Sequence, residues 1–149
     1  TRLSGNAAEN ELVDALSGPM QTACRSLECE GDAGVVCHND LTPENRLYHR
    51  GRLFAIDWEY AARGNRWFDL AVAGACDLRE TRLLEAYLQR LPTASERDCL
   101  AGARLIARYL ELLWMRCNTD VATQTLQAGL RSLQAREATA GRDHWQNAF

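Results

Sequence analysis

Two short apolar runs, each leading into acidic and amide residues, constrain the fold of this chain more than any other feature. Residues 34–38 (GVVCH) lead to Asp40, and residues 53–56 (LFAI) lead directly to Asp57. Short runs with β-branched or aromatic residues, bounded by polar residues and glycine, are typical of strands. Residues 49–52 (HRGR) predict a turn between them, so the two runs are expected to lie close together.

The composition is that of a single globular domain. The chain has 149 residues, of which 46% are hydrophobic and 25% charged. A chain of this length buries roughly 70% of its unfolded surface, so we expect it to be stable without disulfides or a structural metal. No apolar run approaches the ~20 residues that cross a bilayer, and no signal-peptide pattern opens the chain. We therefore expect a cytoplasmic protein without a membrane partner.

The charged residues argue against nucleic acid as a partner, and they include no lysine. All 17 basic residues are arginines, no lysine occurs, and the net charge is −3. Because the arginines are scattered, nucleic acid is not an expected partner. The six cysteines form no CxxC pair, so neither a zinc site nor disulfides are expected. The chain opens on Thr1 rather than methionine, which favours a fragment of a longer protein or a processed product.

Apolar periodicity and end signals predict a mostly α fold with a small β-hairpin at its working edge. Residues 17–19 (SGP) are expected to separate two helices, and Asp69 to begin a later one. Thr93 and Glu96 have the spacing of a capping box. The predicted helices cover residues 10–16, 20–27, 70–76 and 78–91, then a long helix from the capping box to Cys117 and a last one from Asp120 to Arg136, before a loose tail over 138–149. The predicted inward faces are Leu84, Leu88 and Leu91; then Cys99, Ala103, Ile106, Leu110, Leu113 and Cys117, widened by Leu100, Leu105, Tyr109 and Leu112; and last Val121, Leu126, Leu130 and Leu133.

The polar residues after the two runs suit phosphoryl transfer. Asp40 lies two residues after His38 and five before Asn45, and Asp57 follows the second run. This reaction needs a base for the acceptor's hydroxyl proton and hard oxygen ligands for Mg²⁺. Asp40 can be the base, while Asn45 and Asp57 can supply an amide and a carboxylate oxygen. The alternative, an ordinary polar loop, is disfavoured by the spacing and the strand context together.

Three segments resemble one family. They are HNDLTPEN at residues 38–45, IDWEYA at 56–61 and WFDLA at 67–71. Together they resemble the aminoglycoside phosphotransferase and choline kinase superfamily, whose fold is kinase-like. The resemblance implies that residues 1–149 are the C-terminal lobe, with the catalytic loop and substrate site, of a protein-kinase-like α+β fold.

The resemblance assigns roles to five residues. Asp40 matches the catalytic base, and Asn45 and Asp57 match the two magnesium-binding side chains. His38 is a second candidate catalytic residue, although the matching residue supports the loop by packing and hydrogen bonding rather than reacting. Asp69 matches a buried aspartate that braces the loop.

Three further positions concern the nucleotide. Leu47 and Ile56 match residues that pack beneath the adenine of ATP, although both also suit a hairpin core. Arg46 stands where the family usually has an apolar residue. It is expected either to reach a phosphate or to point to solvent.

The acceptor is less constrained than the reaction. The DWEY segment looks closest to choline, ethanolamine and thiamine kinases, in which Tyr60 and the late-helix Trp114 match aromatics that surround a quaternary ammonium. Trp114 is more often a core residue in such a helix. Glu59 is a candidate for orienting the metal or substrate, or for bracing the loop. Choline kinases carry an acid at the position of Cys76; Asp77 beside it is a weaker candidate, which counts against choline specifically.

Family members also have an N-terminal lobe with a phosphate-covering loop and a lysine that holds the ATP phosphates. Without lysine this chain does not supply that lobe, so alone it is expected to bind ATP weakly, to transfer phosphate poorly and to self-associate. An aminoglycoside acceptor is the alternative within the class. A non-catalytic binding module of kinase fold is the alternative from another class.

Overall fold

In a computed structural model, residues 7–28, 34–74, 80–118 and 123–146 are described. The fold is mostly helical with a small antiparallel β part, as predicted. The elements in chain order are α1 (Ala7–Glu28), β1 (Val35–Cys37), a 3₁₀ turn (Pro43–Asn45), β2 (Arg46–His49), β3 (Arg52–Ala55), β4 (Ala62–Gly64), α2 (Arg66–Gly74), α3 (Glu80–Leu88), α4 (Ala94–Asn118) and α5 (Thr123–Gln146). Over these ranges, no helix has the length and apolar character needed to cross a membrane.

The strands form two separate antiparallel pairs. β1 pairs with β4, and β2 pairs with β3. The predicted turn is confirmed: Arg50 and Gly51 both have positive φ, of 48° and 76°, as a two-residue hairpin turn requires. β4 was not predicted, because Ala62, Arg63 and Gly64 carry no strand-favouring side chain.

Two compact units make up the chain. Ala23–Ala107 form the strand unit, which contains all four strands; the described residues of Thr1–Thr22 and Arg108–Phe149 form the helical unit. The core of the strand unit joins buried side chains of α2, α3 and α4. They are Trp67, Ala71, Leu84, Cys99, Leu100 and Ala103, with Leu27, Leu70 and Leu88 packed against them.

The predicted break in the first helical segment is wrong, since α1 runs through it. Pro19 lies inside the helix, where a proline removes one hydrogen bond and costs roughly 3 kcal/mol. Leu16 on one side of it and Ala23 on the other are both buried. Ser17 Oγ donates to the Asp14 carbonyl at 2.7 Å, which satisfies a backbone acceptor near the break. Packing on both sides therefore holds a helix that the local sequence disfavours.

The start of α2 and the end of α3 also differ from prediction. Asn65 caps α2, because its Oδ1 accepts the Trp67 N–H at 2.9 Å, so the prediction that Asp69 begins this helix is wrong. Helix α3 ends at Leu88, before Gln89 in the left-handed region with φ 54°. Leu91 lies beyond that end and is 76% exposed, so it does not face inward. The predicted helical residues 75–79 lie outside the described residues.

The inward face of α4 is rotated from the predicted one. Cys99 and Ala103 are buried as expected, but Leu110 is 47% exposed and Cys117 is exposed. Leu100, Leu105 and Leu112, which were predicted only to widen the face, are buried as well, whereas Ile106 and Leu113 of the predicted face are only half-buried. A helix covered on more than one side buries several rows of residues, and periodicity does not say which row is deepest.

Helix α5 is longer than predicted. It ends at Gln146 rather than Arg136, so the expected loose tail is wrong up to residue 146. Its predicted inward residues Leu126, Leu130 and Leu133 are confirmed as buried, whereas Val121 and Asp120 lie outside the described residues.

The predicted capping box at the start of α4 is confirmed. The Thr93 N–H donates to Glu96 Oε2 at 2.8 Å, and the Glu96 N–H donates to Thr93 Oγ1 at 3.2 Å. Arg90 adds two hydrogen bonds to the same carboxylate, at 2.8 and 2.5 Å. The Arg90 hydrogen bonds, and next the Thr93 N–H, lower the pKa of Glu96 from 4.5 to about 2.

Replacing the capping hydroxyl is expected to destabilise the fold. Thr93→Ala leaves the Glu96 N–H without its acceptor, which lowers the free energy of unfolding by about 0.5–2 kcal/mol in urea titrations. The control is Thr125→Ala at an exposed position of α5, expected to change stability by less than about 0.5 kcal/mol. Equal effects from both variants contradict the capping role.

The contribution of Glu96 is expected to depend on pH. A pKa lowered from 4.5 to about 2 means that the ionised carboxylate stabilises the fold fully above pH 4.5 and that this contribution disappears as the pH falls towards 2. The difference in unfolding free energy between wild type and Glu96→Gln is measured over that range. A difference that does not shrink on acidification shows that the charge of Glu96 is not what stabilises the fold.

Candidate active site

A single carboxylate on α2 holds the start of the polar loop that follows β1. Asp69 lies in the first turn of α2, and its two oxygens accept the backbone N–H groups of His38 and Asn39 at 2.7 and 2.8 Å. Charge-assisted hydrogen bonds of this length are the stronger kind in proteins. The backbone that leads into Asp40 is therefore fixed to the helix.

His38 joins the two strand pairs and has no free ring nitrogen. The side chain is 1% exposed, with Nε2 at 2.7 Å from the Ile56 carbonyl and Nδ1 at 3.3 Å from the Asp40 N–H. A carbonyl only accepts and an N–H only donates, so Nε2 carries the proton and Nδ1 is the acceptor. The ring also lies 4.7 Å from that of Trp58. These contacts favour the supporting role expected for His38 over direct catalysis.

Asn45 orients the carboxylate of Asp40. Its Nδ2 donates to Asp40 Oδ2 at 2.8 Å and to the Asp40 carbonyl at 2.9 Å. Since both partners are acceptors, the amide orientation is determined, and Asn45 Oδ1 faces away from Asp40. Within the described part of the chain, no hydrogen bond reaches Oδ1. The site thus presents one oriented carboxylate and one available amide oxygen.

Asp57 lies beside Asn45 in an uncommon backbone conformation. The Ile56 N–H donates to the Asn45 carbonyl at 3.0 Å, so the residue next to Asp57 is bonded to Asn45. Asp57 has φ 60°, and Asn39, just before Asp40, has φ 65°. Aspartate and asparagine are the non-glycine residues that tolerate this left-handed region best. Such conformations cluster at functional sites, where they aim a side chain.

The charges of three carboxylates affect the pKa of the Tyr60 hydroxyl. The charge of Glu59 and then its hydrogen bond raise the pKa of Tyr60, and partial burial and the charges of Asp40 and Asp57 raise it further. Tyr60 is 58% exposed, and Asn39 Nδ2 donates to its carbonyl at 2.9 Å.

The oxygen donors fit Mg²⁺ better than a transition metal. Among the described residues, no group of three or more His, Cys, Asp or Glu side chains forms a metal-binding cluster. Asn45 Oδ1 and the exposed Asp57 carboxylate are hard oxygen ligands. Magnesium usually takes one or two protein oxygens and completes its shell with water and phosphate oxygens. The two residues are enough for this ion and too few for zinc.

Three other predicted residues, Leu47, Ile56 and Trp114, have exposed side chains. Leu47 and Ile56 are 51% and 39% exposed, so the hairpin-core alternative is wrong and their surfaces are open to a ligand. Trp114 is 59% exposed on the part of α4 that belongs to the helical unit, so the expectation of a core tryptophan is wrong too. Asp77 lies outside the described residues.

Arg46 behaves as neither alternative predicted. It is half-buried, and its guanidinium donates to two backbone carbonyls: Nε to Thr42 at 3.1 Å and Nη1 to Ala73 at 3.2 Å. Sequence reasoning also missed Asn39. The sequence signal for Asn39 is an asparagine directly before the candidate base, since asparagine is a residue type that adopts the left-handed backbone conformation. The signal for Arg46 is an arginine directly after Asn45, at the start of a strand.

Comparisons with known proteins point the same way as the geometry. A family model described as a phosphotransferase enzyme family matches residues 7–105. A LicA homologue of Mycoplasma capricolum is 30% identical over 98 residues, which is 63% of this chain and 39% of that protein. LicA of Haemophilus influenzae is 57% identical over 35 residues, 24% of this chain and 13% of that protein.

A solved structure shows the same fold. It is a choline/ethanolamine kinase family protein from Mesorhizobium loti, which matches with a TM-score of 0.64 at 19% identity over 85% of this chain and 53% of its own. This likeness confirms the expected kinase-like fold. The matched segments cover less than two thirds of the length of each of these relatives.

Asp69→Asn is expected to destabilise the strand unit. One carboxylate oxygen becomes an NH₂ group that faces a backbone N–H, so a half-buried donor loses its acceptor, at a cost of about 1–3 kcal/mol in urea unfolding. Asp98→Asn, at an exposed position of α4, makes the same chemical change and serves as control. A loss no larger than that of the control contradicts the bracing role of Asp69.

Proposed function

The chain belongs to the phosphotransferase enzyme family, and we propose that it carries the base and the magnesium ligands for transfer of the ATP γ-phosphate to a hydroxyl of a small molecule. The observation that carries this proposal is the contact between Asn45 Nδ2 and Asp40 Oδ2, at 2.8 Å. This one hydrogen bond orients the Asp40 carboxylate and also directs the Asn45 amide oxygen away from Asp40.

Asp40 acts as the base of the proposed reaction. Its carboxylate accepts the proton of the acceptor hydroxyl as the hydroxyl oxygen bonds to the γ-phosphorus and the bond to the ADP oxygen breaks. The hydrogen bond from Asn45 occupies Oδ2, which leaves Oδ1 for the acceptor. Since phosphoryl transfer depends almost entirely on positioning and electrostatics, the fixed direction of this carboxylate is its main contribution.

Asn45 Oδ1 and the Asp57 carboxylate hold magnesium in this proposal. When bound, Mg²⁺ neutralises charge on the phosphate oxygens. Asp57 is exposed and has a left-handed backbone conformation. The preceding residue, Ile56, donates its N–H to the Asn45 carbonyl, which keeps Asp57 close to Asn45. The open faces of Leu47 and Ile56 are the proposed apolar support for the adenine ring.

An amino alcohol such as choline or ethanolamine, or thiamine, is the proposed acceptor. Glu59 and Tyr60 lie with the carboxylates of the site, and Trp58 is 50% exposed beside them. Exposed aromatic faces next to negative charge attract ammonium groups. The solved relative named as a choline/ethanolamine kinase family protein supports the same acceptor class.

The groups that grip the ATP phosphates are proposed to lie outside these 149 residues. The chain contains no lysine, whereas kinases hold the phosphates with one. An additional nucleotide-gripping lobe is thus the proposed partner of the strand unit. The relevant protein for activity measurements is the complete natural protein that contains this sequence.

Asp40→Asn in that protein is expected to lower kcat by on the order of 10²–10⁴, because the acceptor hydroxyl loses its base. ADP release is measured with Mg²⁺-ATP and, in parallel, choline, ethanolamine, thiamine and an aminoglycoside. The control is Asp98→Asn, which keeps full activity. Equal turnover by Asp40→Asn excludes the assigned base, and turnover only with the aminoglycoside excludes the proposed acceptor class. Ligand binding without turnover favours a non-catalytic module.

A further inference from the structure

Arg46 links the end of the polar loop to the helix that holds its beginning. Its Nε donates to the Thr42 carbonyl at 3.1 Å, within the loop between Asp40 and Asn45. Its Nη1 donates to the Ala73 carbonyl at 3.2 Å, one residue before α2 ends at Gly74. One half-buried guanidinium thus bridges two backbone segments that are far apart in sequence.

The two attachment points on α2 lie on one face of the helix. Asp69 and Ala73 are four residues apart, a spacing that stacks positions one turn above the other. Asp69 accepts the N–H groups of His38 and Asn39, and Ala73 accepts from Arg46. Ala73 lies in the last described turn of α2, and a cation near the C-terminal end of a helix is favoured by the helix dipole.

We propose that Arg46 is a positioning residue that holds the loop from Asp40 to Asn45 in its reactive geometry. The inference rests on the proposed function, since the geometry it protects is that of the base and of a magnesium ligand. Arg46 directly follows Asn45, whose amide orients Asp40. A displaced Thr42 carbonyl shifts the Asn45 N–H bonded to it at 3.2 Å, and with it the amide that holds Asp40.

The chemistry of this bridge calls for arginine. Two carbonyls on different segments are reached from two nitrogens of one planar fork, which a lysine ammonium does not reproduce. A guanidinium is also less strongly hydrated than an ammonium and is the easier of the two to half-bury. Arg46→Lys therefore keeps the charge but only part of the bridge, and Arg46→Met removes both.

Amide hydrogen exchange tests the bridge without any assay of activity. The reporters are the Thr42 N–H, bonded to the Asp40 carbonyl at 2.8 Å, and the Asn45 N–H. In Arg46→Met we expect both to exchange about tenfold faster, as for a lost hydrogen bond, with Arg46→Lys intermediate. The control Arg52→Met makes the same chemical change at an exposed hairpin position and leaves both rates unchanged.

Kinetics of the complete natural protein then separate positioning from general stability. Arg46→Met is expected to lower kcat by roughly 10- to 100-fold with little change in KM for ATP, and Arg46→Lys to recover part of it. Unchanged exchange at Thr42 and Asn45, or acceleration shared equally by amides of the buried core, overturns the inference. If Arg46→Met accelerates loop exchange but the wild-type protein shows no phosphotransfer, the bridge is supported and the proposed function is contradicted instead.

Discussion

The pair of hydrogen bonds from the backbone of His38 and Asn39 to the Asp69 carboxylate is the interaction on which the site depends. It uses both oxygens of a half-buried aspartate, so the backbone direction at Asn39 is fixed from two sides. The left-handed φ of Asn39 then turns the chain and presents Asp40. Breaking this pair releases the loop from the helix that is packed into the core through Trp67.

Beyond this attachment, each hydrogen bond within the loop satisfies one polar group of a residue and leaves another polar group of that residue free to bind a ligand. The Asp40 N–H donates to His38 Nδ1, and Asp40 Oδ2 accepts from Asn45 Nδ2, which leaves Oδ1 without a hydrogen bond from any residue that the structure describes. The Asn45 amide nitrogen is used and its oxygen is left. A site that reacts must keep some groups unsatisfied by the protein, and the fold does so by bonding their neighbours.

The sequence was most informative where a role depends on local spacing. Two short motifs show this: the segment from His38 to Asn45, and the capping box of Thr93 with Glu96. Their hydrogen-bond partners lie within a few residues of each other, so the local sequence determines the geometry. It was least informative where distant packing decides. Helix α1 continues through Pro19 because residues on both sides of it are buried. Strand β4 forms because its backbone pairs with that of β1. No local signal contains either fact.

The contacts of Arg46 mark the same limit at the site. An arginine at this position predicts phosphate binding or exposure when only its charge is considered. The structure instead uses the guanidinium as a donor to two backbone carbonyls, one in the loop at Thr42 and one on α2 at Ala73. The position of that second carbonyl is set by the packing of α2, because Trp67, Ala71 and Gly74 along the helix are buried.

Polar contacts rather than packing hold the β2–β3 hairpin beside the loop. Two-stranded sheets are marginal on their own, and here Leu47, Tyr48, Leu53 and Phe54 are 51%, 76%, 65% and 43% exposed. The hairpin is tied in by Arg46, by the Ile56 carbonyl on His38 and by the Ile56 N–H on Asn45. Each such bond contributes about 0.5–1.5 kcal/mol net, so the three together help to hold the hairpin and Asp57 beside the loop. The position of Asp57, shortly after β3, therefore follows that of the loop between Asp40 and Asn45.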